Sequence, residues 1–173
     1  MTEINWPEAL TGLRRGETQA FEQLYTALKT PVYTIALRIL QDRALAEDVL
    51  QEVFLRLYQS PPGENVRNPR AYVFRMVRNL SIDTLRARPA LAGEESLPEQ
   101  AAPPTEDTAL RLDIESALAA LALRDREIVT LHLNAGLTFR EIAGVLSLPL
   151  GTALWRYQKA IGQLQAILKD GEF

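Results

Sequence analysis

A chain of 173 residues that is 47% hydrophobic and 24% charged has room for one medium domain or two small ones. Its net charge of −3 excludes a protein basic all over that coats nucleic acid, so any basic surface must be local. It has no cysteine, hence neither a disulfide framework nor a thiolate metal site, and no apolar run nears the ~20 residues of a membrane span. A signal-peptide pattern is also lacking, and a cytoplasmic location is expected. Sparse glycine and a three-to-four-residue apolar period predict an all-α fold without internal repeats.

The first clear helical pattern is Leu24, Leu28, Val32, Ile35 and Ile39, with Pro31 predicting a kink or a break inside it. Trp6, ahead of this helix, is expected to pack on the domain to which the helix belongs. A second helix is predicted over Leu45–Tyr58. At about 100° per residue, Val49, Leu50, Val53, Phe54 and Leu57 share one arc, and Glu47, Asp48, Gln51, Glu52 and Arg56 the other. Leu55 stands within the polar arc. Two readings stand: a solvated acidic helix with a stray leucine, or an acidic docking face with an apolar anchor for a basic partner.

A loop over about 60–68 holds Pro61, Pro62, Gly63 and Asn65. Asn68-Pro69-Arg70 then has the form of a helix start, with Asn68 as N-cap and Pro69 in the first turn. Along this helix Val73, Phe74, Val77, Leu80 and Leu85 face inward, and Tyr72, Arg75, Asn79 and Arg86 gather on the opposite side. Cations for phosphates, an amide for a base edge and an aromatic for stacking suit nucleic acid. A generic charged face is the alternative. Arg67, Arg70, Arg75, Arg78, Arg86 and Arg88 oppose only Asp83 over 66–88, so the basic charge is concentrated here.

Residues 89–108 carry Pro89, Pro98, Pro103 and Pro104 with five acidic residues between Glu94 and Asp107, and no apolar period. They read as a flexible acidic linker between a first domain, 1–88, and a second, 109–173. In the second, TFREIAGVLSLPLGTALWRYQKAI (138–161) reads as a helix-turn-helix. Thr138 and Glu141 have capping-box spacing, Ser147-Leu148-Pro149 breaks the first helix, and a second begins near Leu150. On that helix Leu154, Tyr157, Ile161, Leu164 and Leu168 are expected to be buried. Thr152, Arg156, Lys159 and Gln163 are expected to face out, flanked by Trp155.

The order of these parts, with AEDVLQEVFLRLY and NPRAYVFRMVRNLSIDTLR as a specific pair, resembles bacterial RNA polymerase sigma factors of the extracytoplasmic-function type. These keep only regions two and four of larger sigma factors, and the likeness covers about 18–88 and 109–168. The resemblance implies that Asp48, Gln51, Glu52 and Leu55 dock on the clamp helices of the polymerase largest subunit, with region four on the flap region. It implies that the loop around Asn65 and Asn68 holds a flipped −10 base, with Arg70, Tyr72, Arg75, Arg78, Asn79 and Arg86 on the opened strand. Thr138, Arg140, Thr152, Trp155, Arg156 and Lys159 would meet the −35 element. An anti-sigma protein is an implied partner, acting in trans. No cofactor, metal or covalent chemistry is implied, and the chain is not expected to be an enzyme.

The chain departs from the family pattern on its last helix. Leu154 stands where relatives typically carry lysine, Trp155 where they carry serine, and Ile161-Gly162 where further basic residues are usual. Between Leu150 and Leu168 only Arg156 and Lys159 are cationic, so weak DNA binding by this helix is expected, with Arg140 as a supplementary contact. A sigma-like mimic that sequesters an anti-sigma protein, and a stand-alone helix-turn-helix regulator, are the alternatives. The basic-aromatic helix argues against the first and the acidic helix against the second. His132, the sole histidine, lies in the apolar run IVTLHL and is expected to be structural.

Overall fold

The computed structural model describes residues 4–91 and 106–170, with side chains over 4–88 and 113–169. The central part of the expected linker lies outside the described residues. The helices on either side reach into it, since α4 runs to Leu91 and α5 starts at Glu106.

Four helices form the first body. The short helix α1, Trp6–Arg14, was not foreseen; it starts with Pro7 in its first turn and buries Ala9, Leu10 and Leu13. Trp6 packs on the same core as expected. Gly12 lets α1 approach α2 closely, because a Cβ there would stand 2.7 Å from that of Ala20. Gly16, at φ +74°, reverses the chain in a conformation that L side chains rarely adopt.

Helix α2, Thr18–Leu40, is the central element, burying Ala20, Leu24, Leu28, Val32, Ile35, Ala36 and Ile39 at helical spacing. Pro31 does not break it: the helix runs through, with Pro31 itself buried. The apolar face on both sides of the proline packs into one core, which compensates for the missing backbone hydrogen bond. Gln41, at φ 54°, ends α2, and Asp42 caps α3, Arg43–Gln59, by accepting from the Leu45 N–H at 3.0 Å. Helix α4, Pro69–Leu91, lays Val73, Phe74 and Val77 on the core, with Leu80 and Leu85 partly buried and Ile82 fully so. Asn68 caps it as predicted, accepting from the Ala71 N–H at 3.0 Å. Each fully buried side chain of this size contributes about 1.5–3 kcal/mol.

The second body comprises α5 (Glu106–Ala120), α6 (Leu123–Leu133), α7 (Phe139–Leu146) and α8 (Leu150–Asp170). Ser147, at φ 54°, ends α7, and the chain re-enters helix after Pro149, giving the expected helix-turn-helix. The two bodies are not apart. Ile128, Leu131, Ala135, Leu137, Ile142, Val145 and Leu146 continue the same buried cluster that α1–α4 build. Helix α6 lies against α2, and α7 against α4.

The expected buried stripe of α8 is narrower than predicted. Ala153 and Ala160 are fully buried and Tyr157, Ile161 and Leu164 partly, but Leu154 and Leu168 are each 38% exposed. Helices α5, α6 and α7 pack against this helix and leave Leu154 and Leu168 on its flanks to solvent.

Candidate nucleic-acid and partner interfaces

Helix α3 turns its apolar arc inward, which fixes the direction of the other arc. Asp48, Gln51 and Leu55 are exposed and Glu52 is half-buried, so the four residues share one acidic face with an apolar centre. Arg56 Nε donates to Glu52 Oε1 at 2.5 Å within this face. Beside it is an aromatic ledge that the sequence reading missed. Tyr25 lies 4.7 Å from Phe54 and 6.3 Å from Phe21 between ring centroids, and Tyr58 meets Phe21 edge-on at 5.5 Å. The signal was present as aromatic pairs four apart on α2 and on α3.

Helix α4 carries the basic-aromatic side. Tyr72, Arg75, Asn79 and Arg86 are exposed on it, and Asn65 is exposed in the preceding loop. Arg14 Nη1 holds that loop by donating to the Pro62 carbonyl at 2.9 Å. The remaining assigned residues, and Arg75 with its exposed side chain, bond to the second body. Asn68 Nδ2 donates to Glu141 Oε1 at 2.7 Å, and Arg75 Nη2 to the Gly144 carbonyl at 2.7 Å. Arg70 donates to the Ala135 carbonyl. Arg78 Nε donates to Glu127 Oε1 at 2.8 Å, and Arg124 of α6 approaches the other oxygen at 3.2 Å. Arg38 of α2 adds a bond to Asn134 Oδ1 at 3.0 Å. Burial pushes the Arg38 guanidinium below its ordinary value, against the opposing effect of Glu115.

On the helix-turn-helix, the capping box is present in full. The Thr138 hydroxyl accepts from the Glu141 N–H at 3.3 Å, and Glu141 Oε2 accepts from the Thr138 N–H at 2.7 Å. Desolvation raises the Glu141 pKa, but the hydrogen bonds from Asn68 and Thr138 and the nearby Arg70 outweigh it, so the net shift is downward. Arg140 is exposed, Thr152 is half-buried and Trp155 is 58% exposed.

The two cations of α8 named above have a common partner. Arg156 Nη1 donates to Asp125 Oδ1 at 2.7 Å, and Lys159 Nζ stands 3.6 Å from Oδ2 while lying over the Trp155 ring at 5.6 Å. The Asp125 side chain is only 1% exposed. Neither Asp125 nor Glu127 was singled out from sequence, although both sit in the charged start of an otherwise apolar run, LRDREIV. The ring of His132 stacks on Phe139 at 4.5 Å and meets Tyr157 at 5.1 Å. Its Nδ1 lies 2.9 Å from the Leu137 carbonyl, which can only accept, so Nδ1 carries the proton.

Comparison with known proteins gives the relatives of the chain. The family model described as Sigma-70 region 2 matches residues 24–89, and that described as Sigma-70, region 4 matches 111–164. The chain is 31% identical to the ECF RNA polymerase sigma factor SigL of Mycobacterium tuberculosis, over 93% of this chain and 96% of that protein. It is 30% identical to the RNA polymerase sigma factor CarQ of Myxococcus xanthus, over 92% and 95%. Its fold is similar to that of the sigma factor RpoE of Bartonella quintana, solved in complex with the anti-sigma factor NepR. The TM-score is 0.71 at 23% identity, covering 90% of this chain and 100% of that one.

Proposed function

We propose how the surfaces described above divide the work in a chain that belongs to the sigma-70 family of RNA polymerase sigma factors, within its extracytoplasmic-function group. The chain is a sigma factor: it binds core polymerase, recognises −35 and −10 promoter elements and promotes the melting that starts transcription. In our assignment residues 1–88 act as region two and 109–173 as region four.

The observation that carries the division is the placing of two unlike faces on neighbouring helices. Asp48, Gln51, Glu52 and Leu55 on α3 suit the basic clamp helices of the polymerase, while Tyr72, Arg75, Asn79 and Arg86 on α4 suit a melted strand. Unpairing and flipping a base costs a few kcal/mol. Amides at Asn65 and Asn68 for the base, with Arg70 and Arg78 for the backbone, offset that cost. In region four, Thr138, Arg140, Thr152, Trp155, Arg156 and Lys159 meet the −35 element, and the flap region of polymerase holds the domain.

The chain supplies binding energy, and polymerase supplies the catalysis. The cytoplasm is the compartment this work requires, and no described helix is long and apolar enough to cross a membrane. The solved neighbour was in complex with an anti-sigma factor, and an anti-sigma protein is the regulator we assign to this chain. Run-off transcription with core polymerase, with and without the protein, on DNA from its own upstream region tests the whole reading. A transcript that depends on the protein is expected; its absence across that DNA and a panel of −35/−10 promoters would overturn the assignment.

A further inference from the structure

We propose that α8 selects its −35 element by the methyl groups of thymine, through Leu154 and Trp155, a reading that rests on the assignment of this helix to that element. A helix in the major groove meets base edges with its N-terminal turns, and the C5 methyl of thymine is the apolar group displayed there. The first turns of α8 present Leu150, Leu154 and Trp155, all exposed, with Leu150 and Leu154 four residues apart on one side. Trp155 shares the outward side with Gly151 and Gly162, where an added Cβ meets nothing. The fold needs glycine at neither position, and both leave the indole room to enter a groove.

The cations of this helix are drawn elsewhere. A bidentate contact to guanine O6 and N7 needs a pair of donors from one guanidinium. Arg156 Nη1 is committed to Asp125 Oδ1 at 2.7 Å and its Nε is buried, which leaves Nη2 as the uncommitted nitrogen. Lys159 Nζ lies between Asp125 Oδ2, at 3.6 Å, and the Trp155 ring, at 5.6 Å from the centroid. An ammonium placed over the ring braces the indole in one orientation. Choice among bases therefore falls to the apolar groups.

Charge makes duplex DNA the occupant of this face. Helix α8 carries no acidic residue from Leu150 to Lys169, so nothing on it repels a phosphate backbone. Thr152 and Lys159 lie beside Trp155 around the helix, on the side away from Leu154, and suit phosphate and sugar oxygens. The apolar pair is thus continuous with the polar residues assigned to the same element. It stands where relatives typically carry lysine and serine, so the change is from polar contacts to an apolar one at the same place in the groove.

The test uses holoenzyme and a labelled duplex of the upstream region, with its −35 segment placed from the start site that run-off maps. Uracil in place of thymine there deletes the methyl and keeps every hydrogen-bonding group. In the parent, each methyl that the pair covers should strengthen binding about fourfold, the weight of one buried methylene. Leu154→Ala with Trp155→Ser, both at exposed positions, should remove this thymine preference. Binding itself should persist, because a serine hydroxyl bonds to any base edge. Methyl loss also alters duplex stiffness, and an effect of that origin would remain in the double variant. A parent ratio near one, an equal ratio in parent and double variant, or a −35 segment without an A·T pair would overturn thymine selection. A parent ratio near one, together with an anti-sigma protein that the parent binds and the double variant does not, would make the pair a protein interface instead. Scrambling the −35 segment separates the two readings. If scrambling abolishes binding and uracil does not, region four reads the element by other groups; if scrambling changes nothing, the −35 assignment itself fails.

Discussion

Asn68 joins the N-termini of two helices from different halves of the chain. Its Oδ1 caps α4 through the Ala71 N–H at 3.0 Å, and its Nδ2 donates at 2.7 Å to Glu141, the carboxylate that completes the cap of α7. A base held by Asn68 must therefore displace Glu141. The same link makes the capping box part of the contact between the bodies.

Glu141 gives that contact a pH dependence. Its folded pKa is lowered from the ordinary glutamate value, so its contribution is present above the unfolded value and is lost as pH falls through the folded one. Energy transfer between dyes on cysteines placed at exposed Arg67 and Leu133, one on each body of the cysteine-free chain, should fall over this acidic window in the parent. Glu141→Gln should already show reduced transfer at neutral pH and a flatter profile. The cap itself should survive in this variant, because glutamine also serves at the third position of a capping box. An acid profile identical in parent and variant would remove Glu141 from the link.

The acidic face of α3 is tested by reversing its charge. Asp48→Lys with Glu52→Lys should abolish co-purification with core polymerase while the helical circular dichroism stays unchanged. Little stability is at stake, because Asp48 is exposed and the Glu52–Arg56 pair is an i,i+4 surface pair worth a few tenths of a kcal/mol. Undiminished co-purification would end the docking assignment.

Arg75 and Asn79 share a side of α4 but differ in their present bonds, which separates two roles. Arg75 donates to Gly144, whereas Asn79 is exposed outside the contact between the bodies and accepts a long bond, 3.4 Å, from Arg78. In holoenzyme, both Arg75→Ala and Asn79→Ala should reduce permanganate reactivity of unpaired thymines more than they reduce closed-complex binding. In the free chain, only Arg75→Ala should lower transfer between the bodies. Normal opening with weaker duplex binding would make both residues ordinary phosphate contacts.

What could be read from sequence was local. The Asn68 cap and the Thr138–Glu141 box close within three residues, so spacing alone reveals them. The exposure of Leu55 followed from the helical period for a similar reason. Of the kink or break that Pro31 predicts, the break is absent because burial on both sides of it, a tertiary effect, decides whether the helix continues. Leu154 and Leu168 misled because a helical wheel gives the apolar side but not the width that neighbours cover. Asp125 and Glu127 escaped notice because Arg156 and Arg78 are 31 and 49 residues away. Nothing in the pattern joined the two bodies, since the donors on α4 read equally well as solvated.

The recognition helix is where family departure and structure meet. Arg156 is the candidate for a base contact in the −35 element, yet here it neutralises the buried Asp125 together with Lys159. Arg156→Ala alone should cost about 1–3 kcal/mol of stability, because it removes the hydrogen-bonded partner of a buried carboxylate and leaves only Lys159 at 3.6 Å. Adding Asp125→Asn should recover most of that loss. The double variant, compared with Asp125→Asn alone, then isolates DNA reading: a loss of about 1–3 kcal/mol confined to one base position is expected. Lys159→Ala should weaken all duplexes alike and flatten the log–log salt slope by ~0.9. Trp155, exposed beside Lys159, reports directly. In a Trp6→Phe background its fluorescence should be quenched by a −35 duplex, and Trp155→Ser should preserve or improve binding. If the duplex leaves Trp155 unchanged while an anti-sigma protein shifts it, then Leu154 and Trp155 form a protein interface and region four does not read DNA through α8.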